Sequence, residues 1–183
     1  MQPIVLGSSS ITRAQILTSF NIPFIQRPCD FDEESLSYSN PAHFVYHATK
    51  GKMQRYLESW DLEIPVLCAD TVVTAKGEIL RKAKDVKDAR RILMAQSGNT
   101  VSILTCMIYK SQTSELIDLS STDYLFAPFD EEALDLYLHG NEWKGKAGAC
   151  MVEGFCKSYI KSVKGLESTA MGLSVEKLLP FLR

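Results

Sequence analysis

The sequence predicts an α/β (α+β) protein, and three observations carry that prediction. Ile4-Val5-Leu6 is a short apolar run that ends in Gly7-Ser8-Ser9-Ser10 and leads into Ile11, Ala14, Leu17 and Phe20, spaced as on one helix face. Pro65-Val66-Leu67-Cys68-Ala69 is an uninterrupted apolar run, the pattern of a strand covered on both faces. Strand-like and helix-like segments then alternate to the end without internal repeat, low-complexity tract or linker. Its 183 residues and 20.5 kDa suit one domain, residues 1–183, or two small lobes sharing a core.

The elements follow in order. Ile4–Leu6 is the first strand, and the serine cluster caps the first helix, since a hydroxyl accepts from the free amides of a first turn. Asn21-Ile22-Pro23 turns into a second strand at Phe24-Ile25, followed by the acidic loop Asp30-Phe31-Asp32-Glu33-Glu34. Pro41 opens a helix through about Ser59, with Val45, Ala48 and Tyr56 inward. The run from Pro65 passes into Asp70-Thr71-Val72-Val73, turns at Lys76-Gly77 and returns as Glu78-Ile79-Leu80. Asp85 caps a helix that Ser97-Gly98 stops. Thr100 to Tyr109 and about Leu116 to Phe126 read as paired strands, and Asp130 caps a helix that Gly140 closes. Phe155 to Val163 fits strand and helix equally, and Ser174 caps a last helix carrying Leu178, Leu179 and Leu182.

Composition excludes several classes. Lys plus Arg is 20 against 22 Asp plus Glu, a net charge of −2, which is unlike a protein that coats nucleic acid through excess positive charge. No apolar run approaches the roughly 20 residues of a membrane helix. Met1-Gln2-Pro3 lacks the basic start of a signal peptide. Cys29, Cys68, Cys106, Cys150 and Cys156 are odd in number, have no CxxC spacing and lie in or beside apolar stretches. They are expected to be reduced and to pack as small hydrophobes, which points to the cytoplasm.

Four features could carry chemistry, and each has a plainer reading. Ser8, Ser9, Ser10 and Arg13 surround a helix N-terminus, which makes either an anion site or a simple polar cap. Asp70 sits inside an apolar run and is desolvated unless paired, metal-bound or catalytic; otherwise it caps a strand end. The acidic loop could give oxygen ligands to a hard cation or simply face water. Lys52 shares a helix face with Ala48 and Tyr56, so its ammonium must snorkel or find an anion, and Lys82 follows the turn after Asp70; both could serve a phosphate, and each alone reads equally as a surface lysine. His43, His47 and His139 have no metal-ligand spacing, and Trp60 and Trp143 read as packing residues. A phosphate substrate with a divalent cation satisfies the four features together.

Taken in order, these segments resemble the Maf family of nucleoside triphosphate pyrophosphatases. The family's ASxSPRR corresponds to Gly7-Ser8-Ser9-Ser10-Ile11-Thr12-Arg13, and its acidic pair to Asp32-Glu33. Its AxxKA is matched loosely by Thr49-Lys50-Gly51-Lys52-Met53, and its ADT intact by Ala69-Asp70-Thr71. GExLGKP appears as Gly77-Glu78-Ile79-Leu80-Arg81-Lys82-Ala83, and the helix with LSG as Asp85 to Gly98. KAGAY appears as Lys146-Ala147-Gly148-Ala149-Cys150 with Gly154 downstream, and GLP as Gly172-Leu173-Ser174.

The resemblance implies an inosine-triphosphatase-like fold, an elongated mixed β-sheet flanked by helices in two lobes around a central cleft. It implies Mg²⁺- or Mn²⁺-dependent hydrolysis of nucleoside triphosphates to monophosphate and pyrophosphate, in a homodimer; the charge balance and the short apolar runs add the expectation of no stable nucleic-acid or membrane partner. Removal of non-standard nucleotides and a link to inhibition of septum formation come with it. Carried over, Asp70 is the general base, Glu33 and Asp70 hold the metal, and Ser8, Ser10, Arg13, Lys52 and Lys82 grip the triphosphate. Thr12, Thr71 and Glu153 fall where the family sets base preference. Ile11, Thr12, Arg81 and Ala83 depart from the family's proline, arginine, glycine and proline, and Leu166-Glu167 replaces its late DY. Glu153-Gly154-Phe155 is similar to members preferring methylated guanine, but those carry DQ where Asp70-Thr71 stands, so the two signals conflict. The alternative is a nucleotide-binding regulator of septum formation with little turnover. Retention of Asp70, Glu33, Lys52 and Lys82 speaks against it.

Overall fold

The structure, a computed structural model, describes residues 2–29, 31–150, 152 and 154–182, and of Glu34 the backbone alone. Its seven-stranded mixed sheet has the order β2-β1-β3-β5-β6-β7, with β4 pairing β3. These strands are β1 (Ile4–Leu6), β2 (Phe24–Gln26), β3 (Val66–Ala75), β4 (Glu78–Leu80), β5 (Thr100–Lys110), β6 (Glu115–Phe126) and β7 (Ile160–Lys164). The helices are α1 (Ile11–Ser19), α2 (Pro41–Ser59), α3 (Val86–Gln96), α4 (Glu131–His139), α5 (Glu167–Ala170) and α6 (Val175–Leu178). The chain forms two compact units. The first holds Met1–Thr71, Leu104–Ser120 and Leu166–Arg183; the second holds Val72–Ile103 and Ser121–Gly165.

In the first unit β1 pairs in parallel with β2 and with β3, Val5 opposite Val66 and Leu6 opposite Leu67. Parallel neighbours require both faces of β1 and β3 to be covered, which is why these runs are apolar throughout. Ile16 and Leu17 of α1, Met107 and Tyr109 of β5, and Leu173, Val175 and Leu178 bury against Leu6, Leu67 and Ala69. Asn40 caps α2 and Pro41 stands in its first turn, where the missing amide costs nothing.

In the second unit β4 and β7 run antiparallel to β3 and β6, with a break in the β6–β7 register between Leu125 and Phe126. Asp85 and Asp130 cap α3 and α4, and Arg90 pairs with Asp135 between them. The segment that fits strand and helix equally is both in turn, a 3₁₀ helix over Phe155–Tyr159 and then β7.

Two expectations are corrected. Ser174 precedes α6 but does not cap it through its side chain, and α6 does not carry Leu179 and Leu182: the hydroxyl meets Thr169 Oγ1 at 2.8 Å, α6 lasts four residues, and a 3₁₀ turn over Leu179–Phe181 follows. Pro180 explains the stop, because it lacks the amide that a continued α-helix needs. Nor do all five cysteines stay reduced. The chain folds back so that Cys150 and Cys156 stand 6.6 Å apart at Cα, and they form a disulfide, while Cys29, Cys68 and Cys106 stand outside any disulfide.

Candidate active site

The serine loop is shaped by the end of β1 and the start of α1. Ser10 has extended backbone, and its Oγ accepts the Arg13 amide at 3.3 Å. Ser8 Oγ accepts two donors, the Ser10 amide at 3.2 Å and Arg13 Nη1 at 3.0 Å. A hydroxyl has two lone pairs and one proton. Both lone pairs of Ser8 are therefore engaged, and what it still offers a ligand is its proton. A proton donor at a helix N-terminus, beside first-turn amides that the helix cannot satisfy, suits an anion.

Arg13 is 8% exposed and spends three of its five N–H donors inside the first unit. Nε donates to the Gly172 carbonyl at 2.8 Å, Nη1 to Ser8, and Nη2 to Thr71 Oγ1 at 3.1 Å. One N–H remains on each terminal nitrogen. Burial lowers the affinity of the guanidinium for its proton, and the Asp70 and Glu33 carboxylates and Cys68 counter that. Gly172 makes the fit possible. It has φ of +104°, and a Cβ there would stand 3.2 Å from Thr71 Oγ1 and 3.3 Å from Arg13 Nε.

Asp70 lies on β3, 6% exposed. Its Oδ1 accepts the Thr71 amide at 2.9 Å and faces Lys52 Nζ at 3.2 Å. Its Oδ2 is buried and has no hydrogen-bond partner among the described residues. Desolvation raises the carboxyl above its ordinary value, and Glu33 raises it further; Lys52, Arg13 and the Thr71 amide oppose this. Lys52 also meets Glu33 Oε1 at 2.5 Å, so one ammonium bridges two carboxylates. Glu33 reaches it because of Gly51. A Cβ on Gly51 would stand 2.3 to 2.7 Å from the Phe31 ring, so only a bare backbone lets that ring, two residues before Glu33, lie against α2. Helix interiors disfavour glycine by about 1 kcal/mol, and here its absence of a side chain seats the acidic loop.

Ser8, Ser10, Arg13, Glu33, Lys52, Asp70 and Thr71 all belong to the first unit, where Lys52 pairs with Glu33 and Asp70, and Ser8 accepts from Arg13. Thr71 joins through its hydroxyl to Arg13, and Ser10 through its cap bond to the Arg13 amide. Thr12 is half-buried on α1. Lys82 belongs to the second unit, exposed, on an isolated antiparallel bridge to Ala147. Glu153 and Asp30 lie outside the described residues. Sequence reasoning missed Thr105, the Gly172 carbonyl and the Phe31–Gly51 contact. The available signals were a threonine within the apolar β5 run and a glycine within a helix. Trp143 is a packing residue whose indole donates to Leu138 O at 3.0 Å, whereas Trp60 is half exposed beneath the Arg27 guanidinium.

Among the described residues no three His, Cys, Asp or Glu side chains cluster as a full metal-ligand set. The unpartnered Asp70 Oδ2 and the Glu33 carboxylate are two oxygen donors. That set fits a hard divalent cation, which keeps several waters and takes substrate phosphates for the rest of its shell. No described helix is long and apolar enough to cross a membrane.

The chain as a whole is similar to several known proteins. The family model described as Maf-like protein matches residues 3–183. A protein of a Nitratiruptor species named nucleoside triphosphate pyrophosphatase is 59% identical over 177 residues, covering 96% of each chain. One of the same name from Helicobacter pylori is 38% identical over 180 residues, 98% of this chain and 95% of that one. A solved structure of a Mycobacterium abscessus nucleoside-triphosphatase / dITP/XTP pyrophosphatase aligns over 99% of this chain and 96% of that one. At 12% identity and a TM-score of 0.47 that likeness is too slight to build on.

Proposed function

This chain belongs to the Maf-like protein family, and from that premise we propose a nucleoside triphosphate pyrophosphatase in which Asp70 is the general base. The observation that supports the assignment is the orphaned Asp70 Oδ2. A buried carboxylate oxygen without a partner costs free energy that a structural aspartate avoids, and such an atom is free to accept a proton from water. Lys52 and the Thr71 amide hold the other oxygen and so fix where Oδ2 points.

In this reading the water oxygen bonds to the α-phosphorus as its proton passes to Oδ2. The α–β bridging bond breaks, and its electron pair leaves on pyrophosphate. The protons of Ser8 and Ser10 and the two spare N–H groups of Arg13 bind the phosphate oxygens, with Lys82 as a further cation. Lys52 keeps the two carboxylates close enough together to share a cation. Glu33 and Asp70 would hold Mg²⁺ or Mn²⁺, which supplies charge neutralisation on the phosphates. Non-standard or modified triphosphates are the proposed substrates, with Thr12, Thr71 and Glu153 bearing on base choice. Residues 1–183 act as one domain, in a cytoplasmic homodimer; light scattering and cell fractionation test those two points.

The test of the reaction is product analysis. Canonical, methylated and deaminated triphosphates are incubated with Mg²⁺ or Mn²⁺, and pyrophosphate is resolved from orthophosphate. Pyrophosphate and monophosphate, lost with a chelator and reduced by roughly 10³-fold in Asp70→Asn, are the expected result. Folded protein that turns over no nucleotide refutes it.

A further inference from the structure

Arg13, Thr71, Thr105, Thr169 and Gly172 form a closed circuit of hydrogen bonds within the first unit. Arg13 donates through Nη2 to Thr71 Oγ1 at 3.1 Å and through Nε to the Gly172 carbonyl at 2.8 Å. The Thr71 and Thr105 hydroxyls meet at 2.8 Å. Thr105 Oγ1 donates to the Thr169 carbonyl at 2.7 Å, and the Gly172 amide donates to that same carbonyl at 3.0 Å. Both arms from Arg13 therefore end on one short segment, residues 169–172.

The direction of every bond follows from one atom. A carbonyl oxygen only accepts, so the single proton of Thr105 goes to Thr169. Thr105 can then only accept from Thr71, which spends the single proton of Thr71. Thr71 in turn can only accept from Arg13, the bond that is observed. Thr105 is fully buried, on β5, next to β3 in the sheet, and cannot itself reach a ligand.

We propose that Thr105 is a positioning residue for phosphate binding: by taking the Thr71 proton it turns Thr71 into an obligate acceptor and thereby fixes the Arg13 guanidinium. Without the Thr105 hydroxyl, the Thr71 proton has no acceptor in the circuit and can rotate toward Arg13, where it repels the Nη2 proton. The same polarity means that Thr71 can offer a ligand only a lone pair, never a proton. The proposal rests on the reading above in that Arg13 binds phosphate.

The experiment compares the wild type with Thr105→Val, which replaces the hydroxyl with a methyl of similar shape, and Thr105→Ser, which keeps it. Calorimetry measures binding of inorganic pyrophosphate with Mg²⁺, and steady-state assays measure KM and kcat on the best triphosphate of the panel. Thr105→Val weakens pyrophosphate binding about tenfold and raises KM by a similar factor with little change in kcat, and Thr105→Ser restores both. Unchanged binding and KM in Thr105→Val overturn the proposal, even if its melting temperature falls. So does a defect that Thr105→Ser fails to rescue. A wild type that binds pyrophosphate but cleaves no triphosphate refutes the pyrophosphatase reading alone, and the binding ratio still decides the role of Thr105. A wild type that does neither overturns both.

Discussion

Arg13 and Asp70 are both charged, both buried and both in the first unit, yet they meet burial in opposite ways. Arg13 has an oxygen acceptor on each of its three nitrogens. Asp70 has one oxygen doubly held and the other left with no partner among the described residues. Desolvation works against the charged form of each group, lowering the first and raising the second. For Arg13 the fold has answered with hydrogen bonds, whereas for Asp70 it has left part of the cost standing. A cost left standing at one atom, among so many satisfied ones, is what the proposed role of Asp70 as a base would require.

Two substitutions separate these cases. Arg13→Met takes the side-chain donor from the Gly172 carbonyl and one bond each from the Ser8 and Thr71 hydroxyls, and should destabilise the protein by about 3 to 5 kcal/mol, the range for breaking a buried charged network. Thermal melts should show a fall of roughly 6 to 20 °C for a chain of this size. Asp70→Asn should do the reverse, keeping or raising the melting temperature while removing turnover. The sign follows from linkage. A carboxyl raised by folding binds its proton more tightly when folded, so it costs nothing below its unfolded value, about pH 4. The cost grows as pH rises from there to the raised folded value and then stays level. The stability gap between Asp70→Asn and wild type should open over that window, and equal melts at every pH would show that Oδ2 bears no such cost.

The contact between Phe31 and Gly51 bears on the Asp70 side of the comparison with a smaller effect. Gly51→Ala gains about 1 kcal/mol of helix propensity and loses ring packing, so the melting temperature should move by only a few degrees. The new methyl group displaces the Phe31 ring and with it Glu33, which then leaves Lys52. Expected is a drop in kcat/KM of about tenfold in a protein of near-normal stability. Activity equal to wild type would mean that Glu33 takes its place without the help of Phe31.

The strands and longer helices were legible because each is set by local signals: Ser10, Asp85 and Asp130 as caps, Pro41 as a start, Lys76-Gly77 as a turn. The burial of Asp70 was legible for the same reason, a carboxylate in an apolar run. The final helix was not, since Ser174 turned its hydroxyl to Thr169, a partner that only tertiary packing supplies. The circuit through Thr105 was also hidden. A threonine in a strand reads as a β-branched packing residue, and its hydroxyl gains meaning only from what β3 and residues 169–172 bring to it. The disulfide escaped because Cys150 and Cys156 lack CxxC spacing and the fold-back at Phe155 was not foreseen.

A second closed circuit, this one at the surface, supplies the weakest effect. Lys177 Nζ donates to Asp118 Oδ1 at 2.8 Å and to Ser120 Oγ at 2.6 Å, and the Ser120 hydroxyl donates to Asp118 Oδ2 at 2.6 Å. Its bonds are as short as those around Arg13, but the lysine side chain is 48% exposed. Water competes for each partner and salt screens the pair, so Lys177→Met should cost about 0.5 kcal/mol or less, within roughly 2 °C in a melt. A small loss beside a large one in Arg13→Met would show that burial, not bond length, sets the worth of such a circuit. A loss as large as that of Arg13→Met would instead mean that connectivity matters more than burial, and the contrast between Arg13 and Asp70 would then rest on how many bonds each makes rather than on desolvation.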